Sequence, residues 1–242
     1  LYFQGEPYLN PHFTTLAAEA ARRGVYTLTS TNGHFLDDET ARRTVESGLS
    51  HLVVSIDGLT QETYSKYRIE GRLAEVEAGL QRLAQWKRTL GSITPFIELQ
   101  FIVFAHNEHE LPRLPAYARA LGADRLRIKT AQIYDEAGLA LLPSQARHRR
   151  YDATPEGLRL RGRLPNHCWK LWQGAEITWD GRVLPCCFDK DAAHEMGRLA
   201  PDMPFRKIWR GAPYRAFRAG LLRGRGQVEM CRNCTEGVRV LA

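Results

Sequence analysis

All five cysteines of this 242-residue chain lie in its last third, at Cys168, Cys186, Cys187, Cys231 and Cys234. The two intervening residues of a Cys-x-x-Cys motif close a loop without strain, so Cys231 and Cys234 are able to point at one centre. Two more cysteines from a neighbouring segment would complete a shell of four thiolates, which suits zinc or an iron–sulfur cluster. The spacing therefore predicts a four-cysteine metal site in the C-terminal part of the chain.

A set of disulfides is the alternative explanation of the same cysteines. No signal peptide is visible, five is an odd number, and adjacent cysteines such as Cys186 and Cys187 rarely pair with each other. Reduced thiols are typical of a reducing compartment. We therefore expect free or metal-bound cysteines and a cytoplasmic protein.

The formal net charge is +7, and most of the positive charge is arginine. Such an excess indicates either an anionic partner or an arginine-rich composition without functional meaning. Arginines are dense within 135–165, but few aromatic residues lie among them, so a linker is favoured over an RNA-binding arm. No run of about 20 apolar residues is present, so we expect no membrane-spanning segment.

Residues 1–4, Leu-Tyr-Phe-Gln, match the end of a protease-cleavable expression tag. Gly5 follows at the junction and fits either the tag or the protein. The next residues begin abruptly in loop-like sequence. We therefore expect that native sequence preceding Glu6 is missing here.

Strand and helix patterns alternate at steady spacing through about residue 130. Apolar strand patterns cover 25–29, 52–56, 96–104 and 126–129, and helical patterns cover about 17–23, 38–47, 73–83 and 107–121. This alternation is the signature of βα repeats around a parallel sheet. Because no Gly-x-Gly-x-x-Gly turn appears, a wound barrel or part of one fits better than an open dinucleotide-binding fold.

Polar residues follow the predicted strands, where the chemistry of such sheets is usually found. Asn32 follows the first strand, Ser55 and Asp57 end the second, and His106 and Asn107 follow the third. Because the carboxyl ends of parallel strands meet at one edge, we expect these side chains to lie close together.

The last part of the chain predicts a small domain around the cysteines. We expect a linker over 135–165 and a cysteine domain over 166–242. An Asp180-Gly181 turn predicts a β-hairpin that carries Cys186 toward Cys168. One or two amphipathic helices over 205–222 would bring Cys231 and Cys234 back to the same point.

In this order the motifs resemble a radical S-adenosylmethionine (SAM) enzyme with a C-terminal SPASM or twitch extension. In the barrel they are Gly5-Glu6-Pro7, Asn10-Pro11, Thr31-Asn32-Gly33, Ser55-Ile56-Asp57-Gly58 and Asn107-Glu108. In the tail they are Cys168, Trp172, Asp180-Gly181, Pro185-Cys186, Ile208-Trp209, Cys231 and Cys234. The resemblance covers nearly the whole chain after the tag. The order of the motifs together with the cysteines is more specific than any barrel motif alone.

The resemblance implies an α/β fold, with a partial (βα)6 TIM-like barrel over 5–134 and a small SPASM/twitch domain that contains a β-hairpin and a helix. It also implies a SAM site. Gly5, Glu6 and Pro7 correspond to the motif that binds the methionyl amino group, since a carboxylate pairs with an ammonium. Ser55 and Asp57 correspond to contacts with the methionyl carboxylate or the ribose. Arg68 or Arg72 would supply a cation for that carboxylate, and Asn32 would lie beside the pocket.

For the tail, the resemblance implies an auxiliary [4Fe–4S] cluster held by Cys168, Cys186, Cys231 and Cys234. Cys186 is preferred to Cys187 because it matches the Pro-Cys motif. The family's Cys-x3-Cys-x2-Cys loop, which binds a second [4Fe–4S] cluster, is absent and would precede Gly5. We therefore expect a deletion there, and a chain that as given does not cleave SAM reductively.

The activity implied is generation of a 5′-deoxyadenosyl radical, hydrogen-atom abstraction and oxidative modification of a peptide, with an electron donor such as flavodoxin or ferredoxin. A dehydrogenase acting on a small sugar, aminocyclitol or other metabolite is the first alternative. A zinc-binding four-cysteine interaction module is the alternative of another class. Lys129 and Tyr134, near the last strand, are candidate substrate contacts, with solvated surface as the competing explanation.

Overall fold

Four strands form a parallel sheet in the order β1-β2-β3-β4 in this computed structural model. They are β1 (Leu28–Thr31), β2 (His51–Ser55), β3 (Phe96–Val103) and β4 (Arg125–Thr130). Thr31 pairs with Val54, and Ser55 pairs with Gln100, so the carboxyl ends of β1 and β2 lie at one edge of the sheet. The structure describes residues 5–133, 136–154, 157–162, 164–232, 234 and 236.

Helices connect these strands and cover the sheet. They are α1 (Phe13–Arg22), α2 (Asp38–Glu46), α3 (Gln61–Ser65), α4 (Leu73–Thr89) and α5 (Leu114–Ala120). Short 3-10 helices lie at Pro7–Leu9, Glu108–Arg113, Glu136–Leu141 and Ala146–His148. The predicted apolar stripe of α4 is buried against the sheet, together with apolar side chains of β2 and β3. This parallel βα arrangement confirms the α/β class expected from the alternating pattern.

Two predicted elements differ from the observed ones. The first strand begins at Leu28, so Val25 and Tyr26 precede it as exposed residues. The predicted helix after Asn107 is a 3-10 helix followed by α5, and Pro112 lies inside the 3-10 part. Proline has no amide hydrogen to donate, so a continuous α-helix is interrupted there although the apolar spacing is helical.

The C-terminal unit contains short strands and helices. The strands are β5 (Tyr151–Thr154), β6 (Gly157–Leu160), β7 (Glu176–Ile177), β8 (Arg182–Leu184) and β9 (Gly197–Arg198). The helices are α6 (Lys170–Gln173), α7 (Phe205–Trp209), α8 (Ala212–Gly224) and α9 (Glu229–Arg232), and a 3-10 helix spans Arg225–Gln227. The predicted hairpin is confirmed: β7 and β8 pair antiparallel, and Gly181 in the turn between them has a φ of 82°.

Packing fixes α8 beside the strand that leads to the adjacent cysteines. The Tyr214 side chain is fully buried, and its hydroxyl donates to the Leu184 carbonyl at 3.1 Å. Leu184 is followed directly by Pro185 and Cys186. Because this hydrogen bond lies inside an apolar core, it holds the chain just before Cys186 against α8.

By internal contacts the chain divides into two compact units, Leu1–Arg149 and Arg150–Ala242. The segment 135–165, which we expected as a linker, contains the hairpin of β5 and β6. The expected domain bounds, with a tag over 1–4, remain a prediction, and residues 1–4 lie outside the described residues. No helix in the described part of the chain is long and apolar enough to cross a membrane.

Candidate SAM and iron–sulfur cluster sites

Glu6 is bonded to the carboxyl end of β1. Its Oε1 accepts hydrogen bonds from the Thr31 hydroxyl at 2.8 Å and from the Tyr8 amide at 3.2 Å, and its Oε2 accepts from the Asn32 amide at 2.7 Å. Gly5 has a φ of 81°, and Pro7 begins the 3-10 helix that Glu6 caps. The structure therefore brings the predicted residues Glu6 and Asn32 together at one strand end.

Asp57 and Arg68 form an ion pair at the end of β2. The Asp57 side chain is fully buried, and its Oδ2 accepts from Arg68 Nε at 2.7 Å and lies 2.6 Å from Arg68 Nη2. Its Oδ1 accepts from the Ile102 amide at 2.7 Å. Burial raises the pKa of the Asp57 carboxyl, and the Arg68 guanidinium and the Ile102 amide oppose that shift.

Arg68 and Arg72, the two candidate cations for the methionyl carboxylate, differ in their partners and in their exposure. The Arg68 side chain is 25% exposed, so it remains accessible while it is held by Asp57. The Arg72 side chain is 74% exposed and pairs with Glu75 at 2.6 Å within α4 and its N-terminal cap. Of the two cations, Arg68 is therefore the one that the structure places among the other predicted residues. Ser55, the last residue of β2, is buried and lies two positions before Asp57.

Asn107 joins the ends of β2 and β3, a role that the sequence did not indicate. Its Nδ2 donates to the Asp57 carbonyl at 2.9 Å and to the Ile102 carbonyl at 3.0 Å, and its Oδ1 accepts from the Phe104 amide at 2.8 Å. The side chain is fully buried. Its position after a strand and its place in the Asn107-Glu108 motif were the sequence signals, and neither specifies these hydrogen-bond partners.

An aromatic stack lies next to the Asp57–Arg68 pair. The Tyr67 and Phe104 ring centroids are 4.5 Å apart, and the Phe104 and His106 rings are stacked at 5.3 Å. The Arg68 guanidinium lies 5.3 Å from the Tyr67 ring centroid. Burial lowers the pKa of His106, which favours its neutral form. This strand edge thus offers a carboxylate, a guanidinium and an apolar aromatic wall.

The two candidate substrate contacts gain no support. Lys129 is exposed on β4, and Tyr134 lies outside the described residues.

In the C-terminal unit, four of the five cysteines line one cavity. They are Cys168, Cys186, Cys231 and Cys234, and the rest of the wall is mainly apolar, with Leu171, Phe188, Phe217, Leu221 and Met230. Cys187 does not line this cavity and is exposed. All five thiols are free. The four cysteines that the resemblance implied as cluster ligands are therefore the ones that line this cavity.

The electrostatics of these thiols fit a bound cationic centre. Burial raises the pKa of Cys186 to about 12 and that of Cys231 to about 11. Such thiols become thiolates only when positive charge compensates them, as a metal centre does. Cys234 Sγ already accepts hydrogen bonds from Arg225 Nη2 and from the Glu236 amide, each at 3.4 Å. The residues present therefore fit a thiolate-bound group.

The number of thiols that line the cavity bears on the kind of metal centre it could hold. Among the described residues, no three His, Cys, Asp or Glu side chains lie close enough to hold one metal ion. Thiolates around zinc lie about 3.8 Å apart, as a Zn–S distance of about 2.3 Å requires. Four thiols that line one cavity match the ligand number of a [4Fe–4S] cluster, which four cysteine thiolates hold.

Two family models match the chain. The model of the radical SAM superfamily matches residues 1–96, and the model of SPASM, an iron–sulfur cluster-binding domain, matches residues 168–235. The first includes Glu6, Ser55, Asp57 and Arg68, and the second includes all five cysteines. The two matches thus fall on the same residues as the two sites described above.

Curated relatives match over most of the chain. The PqqA peptide cyclase of Ruegeria pomeroyi is 29% identical, over 95% of this chain and 64% of that protein. The tungsten-containing aldehyde ferredoxin oxidoreductase cofactor-modifying protein of Pyrococcus furiosus is also 29% identical, over 77% of this chain and 56% of that protein. The chain therefore spans less than two thirds of the length of these relatives.

The fold is similar to that of a solved structure. Streptococcus suis SuiB bound to precursor peptide SuiA superposes with a TM-score of 0.63 at 13% identity, over 90% of this chain and 58% of that one. At this identity the likeness shows the fold, and it confirms the partial barrel with a small C-terminal domain.

Proposed function

We propose that the protein is a radical SAM enzyme with a C-terminal SPASM domain and that it oxidatively modifies a peptide, because the models of these two families match residues 1–96 and 168–235. The cofactors of such an enzyme are SAM and [4Fe–4S] clusters, and the SPASM domain is the part that binds auxiliary clusters. Bound in the protein, they supply one-electron chemistry that removes hydrogen from an unactivated carbon. The peptide class is supported by the PqqA peptide cyclases among the relatives. The observation that carries the proposal is the cavity lined by four cysteines from three separate stretches of the chain.

The proposed SAM site lies at the carboxyl ends of β1 and β2. Glu6 would pair with the methionyl ammonium, with Gly5 and Pro7 placing the backbone beside it, and Asn32 would line the pocket. Arg68 would pair with the methionyl carboxylate, with Ser55 next to it. Asp57 is fully buried and engaged by Arg68 and the Ile102 amide, so its proposed role is to position Arg68. Two opposite charges on the protein thus match the two charges of the methionyl group.

The proposed cluster ligands are Cys168, Cys186, Cys231 and Cys234. Their cavity supports this assignment because its apolar wall excludes water from the sulfurs. Four cysteines complete the shell of one [4Fe–4S] cluster and leave no iron open to substrate. Residues around such a centre can tune its potential without contacting the substrate. We further propose that an acidic electron carrier of the flavodoxin or ferredoxin class reduces the protein.

Anaerobic reconstitution with iron and sulfide tests the cluster. We expect a brown protein with about four irons per chain from the C-terminal site. Cys186→Ala should lose most of this iron, whereas the matched variant Cys187→Ala should keep it, because only Cys186 lines the cavity. A colourless protein that binds one zinc would contradict the proposal and support the four-cysteine zinc module.

Binding of SAM to the full-length protein tests the first site. Arg68→Met removes a charge-assisted contact to the methionyl carboxylate, so we expect at least about tenfold weaker binding by calorimetry. Arg72→Met is the matched control, because Arg72 is exposed and pairs with Glu75. An equal loss of SAM affinity in the two variants would show that the net charge of the protein, and not a contact from Arg68, determines SAM binding.

The substrate class is tested by product mass. The full-length enzyme, given SAM and a chemical reductant, is incubated with the small peptides of its host and, separately, with aminocyclitols and sugars. We expect a peptide that loses two mass units with matching release of 5′-deoxyadenosine. The same loss in an aminocyclitol, and in no peptide, would assign the enzyme to the small-molecule dehydrogenases.

A further inference from the structure

Arg225 is a buried cation in the wall of the cysteine cavity. It begins the 3-10 helix that follows α8, and only 1% of the residue is exposed. It lines the cavity together with Cys168, Cys186, Cys231 and Cys234. An arginine is rarely buried unless its charge is compensated, because removing a guanidinium from water is costly.

The guanidinium bonds to both chain segments that deliver the outer cysteines. Nη1 donates to the His167 carbonyl at 3.0 Å and to the Glu236 carbonyl at 2.8 Å. His167 directly precedes Cys168, and Glu236 lies two residues after Cys234. The Arg225 amide also donates to Asn166 Oδ1 at 3.1 Å. One residue thus connects the segment of Cys168 to that of Cys234.

The remaining contacts of the guanidinium are with sulfur. Nη2 donates to Cys234 Sγ at 3.4 Å, and the positive charge opposes the burial that raises the pKa of Cys231. In the described part of the chain Arg225 forms no ion pair with a carboxylate, and its buried Nε has no hydrogen-bond partner. Glu236 also lines the cavity, but its carboxylate lies 3.3 Å from Lys170 Nζ. Among the described residues, the groups that would compensate the Arg225 charge are therefore the sulfurs of Cys231 and Cys234 once they are thiolates.

A four-thiolate [4Fe–4S] cluster is an anion in both common oxidation states, and its reduced form carries one more negative charge. A buried cation that donates to a ligand sulfur stabilises the reduced form more than the oxidised one. A guanidinium is suited to this place, since its fixed fork can hold carbonyls and a sulfur at once.

We propose that Arg225 is a positioning residue for the auxiliary cluster, which fixes the segments of Cys168 and Cys234 around it and raises its reduction potential. This inference rests on the proposed function, because it requires a cluster in the cavity. It adds a residue that no cysteine motif contains. In a chain with 34 lysines and arginines, one arginine carries no sequence signal of its own.

Arg218 supplies a matched control from the same region. It lies in α8, and its guanidinium stacks 4.2 Å from the Trp209 ring centroid and 4.6 Å from that of Tyr214. It donates to the carbonyls of Leu171 and Trp209. Like Arg225 it connects separate segments of the C-terminal unit, but none of its described contacts is with a cysteine.

The test uses the full chain reconstituted anaerobically, as wild type and as the variants Arg225→Lys, Arg225→Gln, Arg225→Met and Arg218→Met. Iron per chain, cluster loss to a chelator, and the midpoint potential by redox titration with paramagnetic resonance are measured. We expect Arg225→Met and Arg225→Gln to change the reduction equilibrium at least tenfold, a fall of about 59 mV for one electron. Arg225→Lys should keep a potential near wild type but lose iron faster, because an ammonium cannot span the same partners.

The outcomes separate the two proposals. Wild type that takes up no iron overturns the proposed function itself. If the wild type binds a cluster and the neutral variants have the same midpoint potential, the proposed role of Arg225 is wrong, but the proposed cluster site is not contradicted. If Arg225→Met takes up no iron, the midpoint potential is measured on Arg225→Gln instead, because glutamine retains a hydrogen-bond donor for the carbonyls. A fall in potential for Arg218→Met equal to that for Arg225→Met would also contradict the assignment.

Discussion

Single side chains at the carboxyl ends of β2 and β3 hold several partners at once. Asn107 satisfies three backbone groups, and one of them belongs to Asp57, which in turn holds Arg68. The position of Arg68 therefore depends on a residue with no contact to it. Removing one partner of a buried hydrogen bond costs more than the bond itself contributes, because the other partner is left without water.

We expect Asn107→Ala to lower the free energy of unfolding by about 3 kcal/mol, since it leaves two buried carbonyls and one amide unsatisfied. Urea denaturation of the chain measures this. Asn32→Ala is the control, because among the described residues the Asn32 side chain accepts only from the neighbouring His34, so the fall in the free energy of unfolding should be small. A loss for Asn107→Ala no larger than that of the control would contradict the role assigned to this side chain.

At this scale the sequence predicted where polar residues lie, but not what they bond to. Asn32, Asp57, His106 and Asn107 do lie at strand ends, as the alternation of elements indicated. That Asp57 is engaged by Arg68 depends on the path of the chain between α3 and α4, which no local pattern specifies. Arg225 was missed for a similar reason, since its burial results from packing between distant segments.

The elements themselves follow from local sequence wherever apolar spacing and capping agree. Helix α2 is an example: Asp37 caps it by accepting from the Thr40 amide at 2.7 Å, and Asp38 and Glu39 lie in its first turn. Where they disagree, the prediction fails. The segment after Asn107 has helical spacing, but prolines impose a 3-10 turn before α5.

We expect Asp37→Ala to destabilise the chain by about 1 kcal/mol at neutral pH, because α2 loses its cap. The hydrogen bond from the Thr40 amide lowers the pKa of Asp37. The charge-dependent part of this stabilisation is therefore complete above the unfolded pKa of about 3.9, and it disappears as the pH falls through the lower pKa of the folded state. Unfolding curves between about pH 2 and 7 measure it. Asp37→Asn should remain close to wild type at pH 7 but lack the pH-dependent part.

The two compact units differ in the residues that form their cores. In the Leu1–Arg149 unit, apolar side chains of the parallel strands and their helices form the core. In the Arg150–Ala242 unit, the core includes Cys231, and Cys168 packs against it. The sequence predicted that the cysteines belong to the C-terminal unit, because every cysteine lies after residue 167. The hairpin of β5 and β6 was not, since its segment is arginine-rich and contains few large apolar residues.

We expect removal of the cluster by oxidation and chelation to loosen the C-terminal unit selectively. Ligands that bind only the folded state stabilise it, so their loss raises the population of open forms. Hydrogen exchange should accelerate in β8 and α8, which surround the cysteines, and remain unchanged in β2 and β3. Equal acceleration in both units, or none in either, would contradict this expectation.

The cysteines that share the cavity come from three stretches of chain, and the outermost two, Cys168 and Cys234, are 66 positions apart (234 − 168). The proposed cluster would tie these stretches together, so in a cell short of iron we expect the C-terminal unit to open more often. Proteases would then degrade the protein faster than in a cell with ample iron. Its abundance would follow iron supply, even with its gene transcribed at a constant rate.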